Sequence, residues 1–290
     1  MDFSVALQIF LSGLNLGCIY AALGLGFYII YNVTRVLNLA QGEFVMLGGM
    51  LTVSFYTAGI PLFPGILLAV VITAAVGAGI YRIIIYPARK ASGMSRVFIT
   101  LGCAFVIEGI ALRVWGWEFR SLPAFFNTPN IQLWDATIFG QTPWVIGITL
   151  LMVIGLFLFF GRTIQGKALR ACADEPLGAR TMGISIEKMA LFSFILAAAL
   201  GAVVGALITP LTMTSYSMGL PLTAKGLLAA FVGGITRAEG VILGGLVYGM
   251  IESITAGMIT GGYHSVIALA ILIGILLFRR RGILLTAGKG

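Results

Sequence analysis

The chain has 290 residues, of which 59% are hydrophobic and only 10% charged, with 18 Lys and Arg against 10 Asp and Glu. Its mean hydropathy is +1.06, whereas a soluble domain is roughly 25% charged and about 45–50% apolar. So few charges cannot clothe a fold of this size against water. That excludes a soluble enzyme, a secreted disulfide scaffold, a coiled coil or a disordered tail, and predicts an all-α polytopic membrane protein with one transmembrane domain over 1–290.

A bilayer core takes about 20 apolar residues as helix. Spans are predicted at 5–30, 36–57, 65–86, 97–115, 143–161, 189–209, 222–236, 240–260 and 263–278. The seventh is short and carries Lys225 three residues after Leu222. It reads as a crossing, a half-helix or a re-entrant piece, which makes the count eight or nine. The period-two alternation of a membrane β-barrel is missing. The opening Met-Asp-Phe-Ser-Val-Ala-Leu has an acid and no basic n-region, so the first helix is expected to stay in the mature protein.

Lys and Arg choose the sides. Arg82, Arg89, Lys90 and Arg96 cluster in one loop, Arg162, Lys167, Arg170, Arg180 and Lys188 in another, and Arg279, Arg280, Arg281 and Lys289 close the chain. With Arg35 and Arg237, 15 of the 18 basic residues fall on one side if nine segments cross; Arg113, Arg120 and Lys225 fall opposite. The basic side is expected to be cytoplasmic, with the N-terminus outside and the C-terminus inside. This placement explains the net charge of +8 without nucleic acid.

Cys18, Cys103 and Cys172 read as small buried hydrophobes, because an odd count at these spacings gives no disulfide framework or zinc site. Glu43-Phe-Val-Met-Leu-Gly48-Gly49 is echoed by Glu239-Gly-Val-Ile-Leu-Gly244-Gly245, which reads as an internal repeat or as chance in a Gly- and Leu-rich chain. Gly13-x3-Gly17, Gly201-x3-Gly205, Gly245-x3-Gly249 and Gly257-x3-Gly261 predict close helix contacts, within the bundle or against a second subunit.

Asn15, Asn38, Gln41, Glu43, Glu108 and Glu252 lie within or at the rims of apolar runs. A carboxylate at mid-depth costs at least about 2.5 kcal/mol, so such groups face a bundle interior or water. They are candidates to line a translocation path; hydrogen bonding between helices is the other reading for Glu108 and Glu252. Asn38 to Glu43 reads as a polar helix start on the cytoplasmic rim, where Glu43 would complement a helix N-terminus. His264 reads as interfacial. No metalloprotease or serine-hydrolase motif is present, so no catalytic or metal site is expected. Gly161-Arg-Thr-Ile-Gln-Gly166-Lys167-Ala168 misses a phosphate loop, since Ala168 lacks the hydroxyl for Mg²⁺ and the run follows a membrane span. This chain is therefore expected to bind no ATP itself.

The loop 162–188 carries five basic and three acidic side chains among small residues. Pro176 should break one short helix, and Leu177–Met182 should form a second, ended by Gly183. Two such helices suit docking into a partner's groove; a solvated loop anchoring the basic side is the plainer reading.

Three stretches resemble the permease subunits of branched-chain amino-acid ABC importers. They are Arg35-Val-Leu-Asn38-Leu-Ala-Gln41-Gly-Glu43 with Gly48, the loop Gly166-Lys-Ala-Leu-Arg170 through Ala179-Arg180-Thr-Met-Gly183, and Gly233-Gly-Ile-Thr-Arg-Ala-Glu-Gly240 with Gly244-Gly245. The last departs at Thr236, where that family usually has glycine. The likeness is nearer the smaller, H-type permease. It implies a type II importer fold, a second permease chain, identical or different, and a periplasmic binding protein delivering substrate. It also implies two cytoplasmic ATPases that supply ATP and Mg²⁺ and dock on Lys167, Arg170, Asp174, Ala179, Arg180 and Gly183. Leucine-like amino acids are the implied substrates, with urea, amides or aromatic carboxylates as alternatives. An ion-coupled secondary transporter or a small-solute channel would need no ATPase. A bacterial inner-membrane location follows from the same resemblance.

Overall fold

The computed structural model describes residues 3–123, 125, 131–133, 136–138, 140–258 and 263–278. In chain order its helices are α1 (Phe3–Thr34), α2 (Gln41–Thr57), α3 (Leu62–Gly79) running into a π turn (Ile80–Ile85), a 3₁₀ turn (Pro87–Lys90) and α4 (Gly93–Trp115). They continue with α5 (Thr142–Arg162), α6 (Ile164–Asp174), α7 (Pro176–Thr181), α8 (Ile186–Thr212), α9 (Gly219–Gly233), α10 (Ala238–Met258) and α11 (His264–Phe278). A short antiparallel pair, β1 (Ile131–Leu133) and β2 (Ala136–Ile138), departs from the all-α expectation.

Six of the nine predicted spans fall on helices long and apolar enough to cross a bilayer: α1, α3 with its π turn, α4, α5, α8 and α10. The other three fall on shorter helices, α2 with 17 residues and α9 and α11 with 15 each. The basic run 279–290 and the His264 side chain lie outside what is described.

α1 and α8 form the centre. The most apolar stretch of α1 is 78% buried and that of α8 61%, against 22–28% for α3, α4 and α5, which form an outer layer. The small-residue stripes account for the tight centre. α1 and α10 run antiparallel, with Gly13 opposite Met250 and Gly24 opposite Val241, and a Cβ on Gly17 would sit 2.9 Å from the Leu246 Cα. Gly245 and Gly249 press back on Ala21 and Gly17, while Gly201 and Gly205 receive Phe44 and Val45 of α2. Gly257 packs on Ile9, and Gly261 is outside the described residues. The stripes that are described thus pack within the bundle, where helices gain dispersion contacts that lipid does not offer as closely. All three cysteines are free and buried in this packing.

Candidate functional site

α2 starts deep in the bundle because the chain does not pass directly from α1 into it. Arg35 takes a positive φ of 54°, uncommon for a residue with a side chain, and donates to the Ala173 carbonyl on α6 at 2.7 Å. Residues 36–40 then climb α4: the Thr100 hydroxyl donates to the Leu37 carbonyl at 3.2 Å and accepts from the Leu39 amide at 3.0 Å. The Gln41 side chain donates to the Ala197 carbonyl at 3.1 Å. Ala197 lies about 16 Å along α8 from Ile186 at the helical rise of roughly 1.5 Å per residue. The polar run 38–43 is therefore inside the bundle, not on the rim where its sequence position put it.

α9 begins at the same depth. The Gly42 amide donates to Thr223 Oγ1 at 2.9 Å, and that hydroxyl donates to the Leu39 carbonyl at 3.2 Å. Gly219 packs directly against the Glu43 carboxylate, leaving no room for a side chain. Two helix N-termini therefore meet in the interior, and Glu43, in the first turn of α2, faces the positive ends of both. Asn38, Gln41 and Glu43 are 1%, 0% and 0% exposed. Asn38 Nδ2, Gln41 Oε1 and both Glu43 oxygens have no hydrogen-bond partner among the described residues. Buried polar groups are normally paired, and broken helices with N-termini aimed at a polar point are how transporters build substrate sites.

A second polar centre lies toward the other end of the bundle from α6 and α7. A cleft of 370 Å³ opens between α1, α8, α9 and α10, with Phe119 and Met213 at its exposed mouth and Tyr20, Lys225 and Glu252 at its floor. Lys225 Nζ donates to Glu252 Oε1 at 2.5 Å and to the Tyr20 hydroxyl at 3.2 Å. Tyr20 donates to Glu252 Oε2 at 2.5 Å, and Ser265 donates to Oε1 at 3.0 Å. The Glu252 side chain is 5% exposed and that of Lys225 23%.

The sequence candidates thus divide. Asn38, Gln41 and Glu43 come together, and Glu108, half-buried on α4, lies within electrostatic reach of Glu43. Glu252 belongs to the cleft instead. Asn15 is half-buried with its Oδ1 unpartnered among the described residues, and it does not line the cleft. Lys225 entered the sequence reading as the charge that weakens the seventh span and as one of three basic residues on the opposite side, without a partner assigned to it. The missed signal was that an intramembrane lysine requires a counter-charge. Glu252 is the carboxylate in the two spans that follow. Tyr20, Thr223 and Gly219 gave no comparable signal.

On the basic side, α6 and α7 occupy the predicted docking loop. The Thr163 hydroxyl caps α6 by accepting from the Gly166 amide at 2.9 Å, the local reason a helix starts there. Gly166, Leu169 and Cys172 are its buried face, against Leu156 and Phe160, and burial pushes the Cys172 thiol up from its ordinary range. Lys167, Arg170, Asp174 and Arg180 are exposed, Ala179 is buried, and the Arg170 guanidinium stands 5.8 Å over the Phe160 ring. Pro176 starts α7 and Gly183, at φ 81°, ends the turn after it. Ile164, Leu177 and Met182 are 87%, 72% and 83% exposed, an apolar set facing away from the bundle.

Residues 9–276 match the family described as branched-chain amino acid transport system / permease component. The chain belongs to this family. It is 27% identical to the high-affinity branched-chain amino acid transport system permease protein LivH of Salmonella typhimurium, over 98% of this chain and 96% of that one. It is 30% identical to the probable branched-chain amino acid transport permease protein LivH of Methanocaldococcus jannaschii, over 90% and 87%. Among solved structures it is similar in fold to a chain of PsaBC from Streptococcus pneumoniae in complex with Fab, at TM-score 0.52 and 13% identity, covering 94% and 91%. As a permease component, the chain is a transport subunit.

Proposed function

We propose that this permease forms the translocation path for branched-chain or related small amino acids in an ATP-binding-cassette importer. The observation that carries the reading is the family match over 9–276, joined to the interior meeting of the α2 and α9 N-termini at Asn38, Gln41 and Glu43. Two cytoplasmic ATPases bind ATP and Mg²⁺ and dock on α6 and α7 through Lys167, Arg170, Asp174, Arg180 and the turn at Ala179–Gly183. A second permease chain completes the conduit, and a periplasmic binding protein loads it. α2, α9 and α11 supplement the six long helices to give eight or nine segments in the inner membrane; with nine crossing, the N-terminus is outside and the C-terminus cytoplasmic. The Glu43–Gly49 and Glu239–Gly245 segments are the matching openings of two repeats; Gly48 and Gly49 both pack on α8, whereas Gly244 packs on α9 and Gly245 on α1.

Affinity purification of the tagged chain from its native membrane tests the partners. Two ATP-binding polypeptides and a second permease should co-purify in fixed ratio. Recovery of the chain free of any ATP-binding polypeptide would contradict the proposal.

A further inference from the structure

We propose that the Lys225–Glu252 pair is a recognition element for the two charged ends of an α-amino acid, read at the floor of the cleft before passage. The inference rests on the amino-acid reading above and narrows it to zwitterions with an aliphatic side chain.

Lys225 and Glu252 stand next to each other, held by Tyr20, at the closed end of a cleft with an open mouth. An ammonium has three donors. Two of those on Lys225 go to Glu252 and Tyr20 among the described residues, and its side chain remains 23% exposed toward the cleft. The walls above are Leu16, Ile19, Ile208 and Leu222. The lining is mostly apolar, with Thr212 and Ser215 as further polar groups and the charged pair at the floor, a composition usual for a small-molecule site.

Charge balance selects the ligand. Opening the pair to admit a guest leaves the buried Glu252 carboxylate with no cation and the Lys225 ammonium with cleft water alone, so a guest that re-pairs both charges is held best. A zwitterion re-pairs both, with its carboxylate on Lys225 and its ammonium on Glu252. A plain carboxylate leaves Glu252 uncompensated, an amine leaves Lys225 so, and urea or an amide carries no charge for either. The leucine, isoleucine and valine side chains would then lie against the aliphatic walls.

Two measurements test the proposal. In proteoliposomes holding the whole importer and its binding protein, K225M/E252Q removes both charges and leaves neither unpaired. The variant should assemble and hydrolyse ATP in response to loaded binding protein, with leucine uptake at least tenfold below wild type; a smaller fall overturns the proposal. Should this variant not assemble, T212C at the exposed mouth keeps the pair intact, and the native cysteines are buried. Leucine should slow its modification by a water-soluble maleimide at least threefold more than 3-methylbutylamine or 4-methylpentanoate. Equal protection by all three, or none by leucine, also overturns it. A wild-type importer that hydrolyses ATP yet accumulates no branched-chain amino acid defeats the substrate reading itself, an outcome separate from a variant that transports normally.

Discussion

Replacing Lys225 by methionine should destabilise the folded chain by about 3 kcal/mol, the lower end of the range for breaking a buried ion pair from one side. The lower end applies because Tyr20 and Ser265 still donate to the Glu252 carboxylate. What remains is a carboxylate with 5% of its side chain exposed and no cation beside it. E252Q should cost less, because the abandoned ammonium is 23% exposed and opens on the cleft, where water solvates it. The double neutral variant should recover at least half of the K225M loss, since a neutral pair requires no compensation. Thermal unfolding in nanodiscs checks all three. K225M as stable as wild type, or a double variant worse than both singles summed, would show that the pair does not hold α9 to α10.

A comparably large effect is expected at the other end of the molecule. L177D/M182D should abolish energy coupling while leaving the bundle folded. Both side chains are more than two-thirds exposed and none of the helix packing rests on them. Large apolar side chains buried in an interface can each be worth about 2 kcal/mol, roughly a thirtyfold weakening of docking. R170E and R180E should have the same sign with smaller magnitude, as rim charges act more on encounter than on residence. The readout is leucine uptake per ATP hydrolysed in the reconstituted importer, with intact far-UV circular dichroism as the control for folding. Unchanged coupling in L177D/M182D and in both arginine variants would remove α6 and α7 from the docking surface.

These two regions differ in how far the sequence exposes them. The two short helices of loop 162–188 were legible nearly to the residue, because Pro176 and Gly183 are local signals: one starts α7, and the other takes the positive φ that favours glycine. The long spans were legible as well, since hydropathy over twenty residues reads directly as membrane helix. The depth of Asn38–Glu43 was not. It depends on the non-helical residues 36–40 being held against α4 by Thr100 some sixty positions away, and no periodicity encodes that. The same long-range logic hid the α9 N-terminus. Gly219 and Thr223 matter because of what α2 places opposite them. Lys225 was visible as an anomaly, but its meaning required Glu252, 27 positions on, to be set beside it by the packing of α10 on α9.

Transport assayed with and without the motor tests the central claim most directly. Proteoliposomes containing the complete assembly, loaded binding protein and internal MgATP should accumulate leucine against its gradient. Liposomes holding this chain alone should accumulate none, under a proton gradient, a sodium gradient or no gradient. Concentrative uptake by the lone chain, or uptake by the full assembly that persists when the ATPases cannot hydrolyse ATP, would contradict the account.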